Sequence, residues 1–256
     1  MAEGDTIHRA AGRLREALEG RHVRAAETPN PRSGLGSRVE AMNGRRVESV
    51  EARGKNLLLH FDEDLVLHSH LGMNGSWHVY PLRGRWRKPR GAAWLVLSTK
   101  SSQAVQFGGP TLSLMRESEL ARHPRLARLG PDILDPGFDA TAGVEALRRA
   151  EPGRQLGDAL LDQRLISGVG NIFKSEGCFA AGIDPWRTLG DIGDDELTRV
   201  VAETEALMRA GLEARRSDRQ VYKRAKLPCP RCGAPLRARR QGDDARTTFW
   251  CGRCQR

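Results

Sequence analysis

Four of the five cysteines fall in two pairs, Cys229 with Cys232 and Cys251 with Cys254, each spaced C-x2-C, with eighteen residues between the pairs. Two thiolates on one tight turn can face a single ion, and a second such turn completes a tetrahedron. In a chain expected in the cytosol this spacing favours metal over disulfides. Four thiolates leave no open position for a reacting water, so the expected cofactor is one structural Zn2+; a pair of redox dithiols is the alternative. Cys178 stands apart in an apolar context and is read as a buried core residue. His68 and His70 alternate on an expected strand and face one side of it. With no third ligand nearby they are read as a structural pair.

The charge distribution points to a partner. The chain of 256 residues carries 42 Lys and Arg against 32 Asp and Glu, a net charge of +10. Thirteen of the basic residues and only three of the acidic ones lie in residues 215–256, so the first 214 residues are balanced. A local basic block is the footprint of a phosphate-rich partner; a solvated basic tail is the alternative. Arg215, Arg216, Arg219, Lys223, Arg224 and Lys226 lead into the cysteine segment and are read as phosphate contacts. No apolar run approaches the ~18 residues of a membrane span. No basic stretch followed by an apolar one opens the chain, so the expected location is the cytosol.

These groups must be positioned by something. The length allows one large or two ordinary domains and a sizeable core. Ile7, Ala10, Ala11, Leu14, Ala17 and Leu18 repeat at helical spacing and predict a helix over about 6–19, capped by Asp5 or Thr6. Short β-type segments follow near 47–52, 56–61, 65–70, 76–80, 93–99, 103–107 and 111–115, which suggests an antiparallel sandwich or barrel. A short helix is expected around 117–128 and a linker over 130–137. The run Arg83–Arg90, with Trp86, reads as a mobile loop between strands. Helices are then expected over 141–150, 155–163, 172–181 and 194–214, the last with Asp194 and Asp195 favouring its N-terminus. Between the second and third lies a Gly-rich turn, Ile166 to Asn171, and helix–turn–helix is a common DNA-docking arrangement.

Four motifs occur in order: Ala2-Glu3-Gly4-Asp5-Thr6; Arg53-Gly54-Lys55-Asn56-Leu57; Leu161-Asp162-Gln163 with Gly168-Val169-Gly170-Asn171; and Arg246-Thr247-Thr248-Phe249-Trp250-Cys251-Gly252-Arg253-Cys254-Gln255. Together they resemble the formamidopyrimidine-DNA glycosylase / endonuclease VIII family of base-excision repair enzymes, over essentially the whole chain. The resemblance implies an α+β multidomain fold: a catalytic β-sandwich over 2–131, a linker and first helix over 132–150, a helix–two-turn–helix domain over 151–224 and a zinc-finger β-hairpin over 225–256.

It also implies roles. The α-amine of Ala2, exposed by removal of Met1, is the expected nucleophile and forms a Schiff base with the sugar. An α-amine has a pKa near ~7.7–8.0, so part of it is neutral at physiological pH. Glu3 is expected as general acid and proton shuttle, Lys55 as the acid/base of elimination, and Arg246 as the grip on the phosphates flanking the lesion. Asn171 and Arg128 match phosphate- and DNA-contacting positions, and Lys174 is placed with them. Met73, in Leu71-Gly72-Met73-Asn74-Gly75, is the expected wedge that replaces the flipped base; a core methionine is the alternative. The family's usual residue after Met1 is proline, and here it is Ala2. The opening Glu3-Gly4-Asp5-Thr6 and the segment Gly75–Val79 look closer to the endonuclease VIII branch, directed at oxidised pyrimidines. The implied partner is damaged DNA, met by a monomer without a membrane. Two other readings stay open: a paralogue that binds lesions without cutting, and an enzyme for oxidised purines.

Overall fold

The alternating apolar residues between 47 and 116 build two four-stranded antiparallel sheets. One runs in the order β2 (Val47–Arg53), β3 (Asn56–Phe61), β4 (Leu65–His70), β8 (Thr111–Arg116). The other contains β5 (Ser76–Pro81), β6 (Ala93–Ser98) and β7 (Ser102–Phe107), with β1 (Ala25–Glu27) added at its far edge, in the order β1-β6-β7-β5. Leu57, Leu59 and Leu67 of the first sheet meet Trp77, Leu95 and Leu97 of the second in one core, closed by Ile7, Leu14 and Leu18 of α1 (Gly4–Leu18). The structure is a computed structural model and describes residues 2–213 and 219–256. It divides into two units, one of Ala2 and Thr6–Ala127, the other of Glu3–Asp5 and Arg128–Arg256.

In the first unit seven strands fall where the alternation placed them. β1 was not expected: three residues are too few to show a period. α1 begins at Gly4, so Asp5 and Thr6 lie inside its first turn rather than capping it. The expected helix over 117–128 is interrupted. It splits into α2 (Glu117–Ala121) and a 3-10 turn at Leu126–Arg128, because Pro124 cannot continue a helix and turns its predecessor away from helical geometry. The Arg83–Arg90 run is not merely a loop: Trp86 stacks on Tyr80 and meets Phe107 edge-on, packing against the outer face of the β5-containing sheet.

The second unit holds α3 (Ala140–Arg148), α4 (Leu156–Ala159), α5 (Asn171–Ala181) and α6 (Asp194–Glu213), then a hairpin of β9 (Arg237–Gln241) and β10 (Arg246–Trp250). Its core is Leu147, Leu156, Phe173, Val200, Val201 and Met208 among others. α4 is far shorter than the expected 155–163. Asp162 accepts from the Arg164 backbone and ion-pairs with Arg154 and Arg164, turning the chain where a helix would continue. Asp194 and Asp195 do open α6, with Asp194 bonded to Arg148. Ala214, Arg215 and Arg216 lie outside the described residues. Among the described residues no helix is long and apolar enough to cross a membrane.

Candidate functional site

Ala2 and Glu3 are neighbours in sequence, and each is held within its own unit. In the first unit the Ala2 nitrogen donates to the Gly72 carbonyl at 3.2 Å. Gly72 opens the turn between β4 and β5 with φ +57°, and a Cβ there would stand 2.7 Å from Pro110 Cδ. Only glycine fits that position without strain. Met73 follows and is 65% exposed, so the core-methionine alternative falls and its side chain is available at the surface.

Lys55 sits in the two-residue turn between β2 and β3, closed by the Arg53–Asn56 pair. The same Asn56 bonds to neighbours on both sides: its amide donates to the Arg53 carbonyl, and its Oδ1 meets His68 Nε2 at 2.9 Å. His68 is a buried structural residue whose ring is pushed down to about 4, by burial first and then by His123 and His70. His70 Nδ1 accepts from the Gly72 N–H, so it orders the turn that carries Met73. Burial, then the charges of Lys55 and Arg125, keep His70 neutral to lower pH than a free imidazole. The two histidines are thus hydrogen-bonding residues, and the cysteines are the metal-type cluster found among the described residues.

In the second unit Glu3 is 1% exposed, and its carboxylate accepts from the backbone N–H of Ile172 at 2.8 Å and of Phe173 at 3.3 Å. Those amides are among the first of α5, where four N–H groups lack helical partners and the helix dipole favours negative charge. The Gly-rich turn makes this possible. A Cβ at Gly170 would lie 2.2 Å from Glu3 Cδ, and the Gly4 N–H donates to the Gly168 carbonyl at 2.9 Å. Gln163 braces the turn, donating to Val169 O and accepting from Gly168 N. The sequence marked this turn as DNA-docking; its contact with Glu3 was not legible, because the two are far apart along the chain.

One face of α5 docks on β10 residue by residue. Asn171 Nδ2 donates to Thr247 O at 2.8 Å, Lys174 Nζ to Thr248 Oγ1 at 2.6 Å, and the Phe249 N–H to Ser175 Oγ at 3.4 Å. Thr248 Oγ1 donates onward to Gln241 Oε1, whose amide in turn donates to Gln155 and to Pro185 O. Arg246 begins β10 and is exposed, so this docking fixes the strand from which it projects. Lys174 corrects an expectation: it is fully buried, and its ammonium is committed to Thr248 rather than presented to a partner. Burial pulls its pKa down to about 8, against the opposing pull of Cys178, Glu3 and Asp158. Arg128 is exposed. Glu176, which the sequence reading passed over, accepts three backbone N–H groups, from Gln220, Val221 and Tyr222, and anchors the approach to the cysteine segment. Arg219, Lys223 and Lys226 stand exposed on that approach.

The sulfurs of Cys229, Cys232, Cys251 and Cys254 all lie within 4.8 Å of one another, with 3.9 Å between Cys229 and Cys254 and 3.6 Å between Cys232 and Cys251. Ligands 2.3 Å from a tetrahedral centre would be separated by about 3.8 Å, so the set fits zinc. Burial raises the Cys251 thiol, but hydrogen bonds from the Arg253 and Cys254 amides and from the Cys232 and Cys229 thiols together bring it down to about 7. Cys178 is fully buried within the helical core, and burial raises its thiol to about 12.

Comparison with known proteins accounts for each segment. Residues 1–111 match the formamidopyrimidine-DNA glycosylase N-terminal domain, 129–222 its H2TH domain, and 226–256 the zinc finger found in FPG and IleRS. The chain belongs to the formamidopyrimidine-DNA glycosylase / endonuclease VIII family. Over its full length it is 39% identical to a probable endonuclease 8 2 of Streptomyces coelicolor, covering 94% of that protein. It is 33% identical to the DNA-(apurinic or apyrimidinic site) lyase Nei2 of Mycolicibacterium smegmatis, covering 100% of this chain and 99% of that one. A formamidopyrimidine-DNA glycosylase of Rhodospirillum rubrum is 35% identical over 85% of each chain. Among solved structures, the Lactococcus lactis Fpg complex with abasic-site DNA matches with a TM-score of 0.83 at 21% identity, covering 99% of both chains. Within this family the chain is endonuclease 8-like, with the fold of an α+β DNA-repair glycosylase: antiparallel sheets, an H2TH region and a four-cysteine hairpin.

Proposed function

We propose that this family member is a bifunctional DNA glycosylase and abasic-site lyase that removes oxidised pyrimidines through the α-amine of Ala2. The observation that carries the reading is the buried Glu3 carboxylate, fixed by the α5 amides one residue after the nucleophile. Once Met1 is removed, the Ala2 nitrogen becomes a primary amine, and its contact with Gly72 leaves a lone pair for attack. Attack on the sugar carbon forms an N–C bond as the bond to the damaged base breaks. Glu3, held by two N–H groups, takes the proton from the amine and delivers it to the ring oxygen, so the sugar C–O bond breaks and the ring opens to the imine. The resulting Schiff base acidifies the adjacent carbon; Lys55 takes that proton, and the 3′ phosphate leaves.

Arg246, Arg128 and Asn171 are assigned to phosphates, and Met73 to the gap left by the flipped base. Lys174 is assigned to positioning: it sets the β10 register beneath Arg246. The four cysteines would hold one Zn2+, whose contribution is to fold the hairpin and not to react. The partner is damaged DNA, met by a monomer, and the basic block after residue 214 supplies sequence-independent affinity.

The lyase half of the reading is supported by the name of the mycobacterial relative, and the preference for pyrimidines by the likeness of Glu3–Thr6 and Gly75–Val79 to the endonuclease VIII branch. The deciding experiment is sodium borohydride trapping on an abasic oligonucleotide, with mass spectrometry of the joined peptide. A covalent adduct on the Ala2 nitrogen is expected. Absence of any adduct on abasic DNA would move the protein to the lesion-binding reading. Thymine glycol cut faster than 8-oxoguanine supports the pyrimidine assignment, and the reverse order overturns it.

A further inference from the structure

Two adjoining cavities in the first unit share Arg21 and Ser101. One, of about 640 Å³, is also lined by Arg13, Arg85 and Arg87; the other, of about 570 Å³, by Arg24 and Lys100. None of the proposed site residues Ala2, Lys55 or Met73 lines either. The wall carries one carboxylate, Glu16.

Over residues 6–127 the unit carries 20 Lys and Arg against 11 Asp and Glu, and six of those 20 line the two cavities beside a single carboxylate. Some arginines elsewhere in the unit have acidic partners: Arg45 with Glu63 at 2.8 Å, Arg46 with Glu48 at 3.1 Å, Arg53 with Glu51 at 2.7 Å. Among the described residues, none of the six basic side chains around the cavities forms an ion pair. The α1 carbonyl that faces this region is already occupied: Ala17 O accepts from Arg21 Nη1 at 2.7 Å and from Ser102 Oγ at 3.1 Å. The walls therefore present donors. His78, which borders the larger cavity, registers the field. Burial first, then Lys88, Arg13 and Arg87, shift its ring toward the neutral form.

Six like charges held around one carboxylate repel, and a polyanion relieves that repulsion. Guanidinium forks match phosphate and carboxylate oxygens alike, but a strand carries its phosphates at regular intervals, whereas carboxylate side chains on a flexible peptide bring no fixed spacing. Two cavities in a row suit successive phosphates of one strand better than a single small anion.

We propose that this trough is a second binding site for a nucleic-acid strand, additional to the strand that is cut. It does not rest on the glycosylase reading. The probe is a fluorescent oligothymidine about twelve nucleotides long, within the range of single-strand sites. It is added to full-length protein whose lesion site is saturated with an unlabelled short duplex carrying an abasic analogue. Binding is expected to persist. The R13A/R87A double variant should weaken it roughly tenfold at low salt and lower the slope of log K against log salt by about 1.4, two contacts at about 0.7 each. The variant's thermal melt and zinc content should match those of the parent, which shows that the fold is intact. Loss of oligothymidine binding when the lesion site is filled, or equal binding by parent and double variant, overturns the proposal. So does displacement by an oligoglutamate of equal length at equal concentration, which would assign the trough to an acidic peptide.

Discussion

The Ala2 nitrogen donates to the carbonyl of Gly72, the residue immediately before the exposed Met73. The proposed nucleophile and the proposed wedge are thus tied through one turn of the first unit. An uncleaved N-terminal extension would convert that nitrogen to an amide, which is not nucleophilic. Borohydride trapping should then be abolished while affinity for an abasic analogue changes by less than about threefold, because phosphate contacts supply most of the binding. Full-rate trapping by the extended protein would place the nucleophile on a lysine, with Lys55 first to be tested.

Gly72→Ala tests the turn itself. A Cβ there meets Pro110 Cδ at 2.7 Å in a left-handed backbone conformation. The turn must shift, carrying Met73 and the Ala2 acceptor with it. A displacement of reacting groups by about 1 Å can cost about 10²-fold in rate. Single-turnover kinetics should show a fall of that order, with zinc content unchanged.

The carboxylate can be tested by charge and by position. Glu3→Gln keeps the contact to Ile172 through its carbonyl oxygen, turns its NH2 toward the Phe173 N–H, and removes the exchangeable proton site. Base excision should fall further than strand cleavage at a preformed abasic site, where no base has to leave. Gly170→Ala leaves Glu3 in the chain but drives a methyl group into its Cδ. It should reproduce the excision defect, roughly 10²-fold. A Gly170→Ala variant that excises at the parental rate would remove Glu3 from the mechanism.

Much of this arrangement was legible in the sequence, and the reasons differ by element. The strands β2 to β8 alternate because one face of each is packed in the sandwich, and alternation is visible along a single chain. The C-x2-C pairs announce themselves because a metal site demands fixed local spacing. The helix over 155–163 was misjudged because Leu156, Ala159, Leu160 and Gln163 keep helical spacing while Arg154 and Arg164 pull Asp162 into a turn. Lys174 was misassigned for a related reason. A lysine beside a DNA-docking turn reads as a phosphate contact, and nothing local reveals that Thr248, 74 residues on, takes its ammonium. Gly170 was seen as a turn glycine; that Glu3 occupies the space of its missing Cβ is a tertiary fact.

Zinc removal should act on the second unit. Structural zinc contributes about 10–16 kcal/mol in small domains, far more than the hydrogen bonds between α5 and β10 can replace. Cys251→Ser should lose stoichiometric zinc by elemental analysis and lose DNA affinity with it. Retention of one ion per chain would show that Cys251 is not a ligand.

Lys174 supplies the test that separates stability from function. Its folded-state pKa is about 8, below the unfolded value of 10.5, because burial disfavours the ammonium. Between those two values the unfolded chain binds more protons than the folded one, so this residue makes stability rise with pH from about 8 toward 10.5. Near neutral pH the buried charge opposes folding. Lys174→Met, similar in volume and apolar, should therefore be more stable than the parent at pH ~7, and its advantage should shrink as pH rises past about 8. Thr248 keeps its bond to Gln241 in the variant, so no new unpaired group offsets the gain. The same variant loses the tie that sets the β10 register, and affinity for abasic-analogue DNA should fall roughly tenfold through Arg246. Denaturant melts at several pH values measure the first effect and anisotropy titrations the second. A variant that is less stable near neutral pH would refute the cost assigned to the buried charge, and one that binds DNA as tightly as the parent would refute the positioning role.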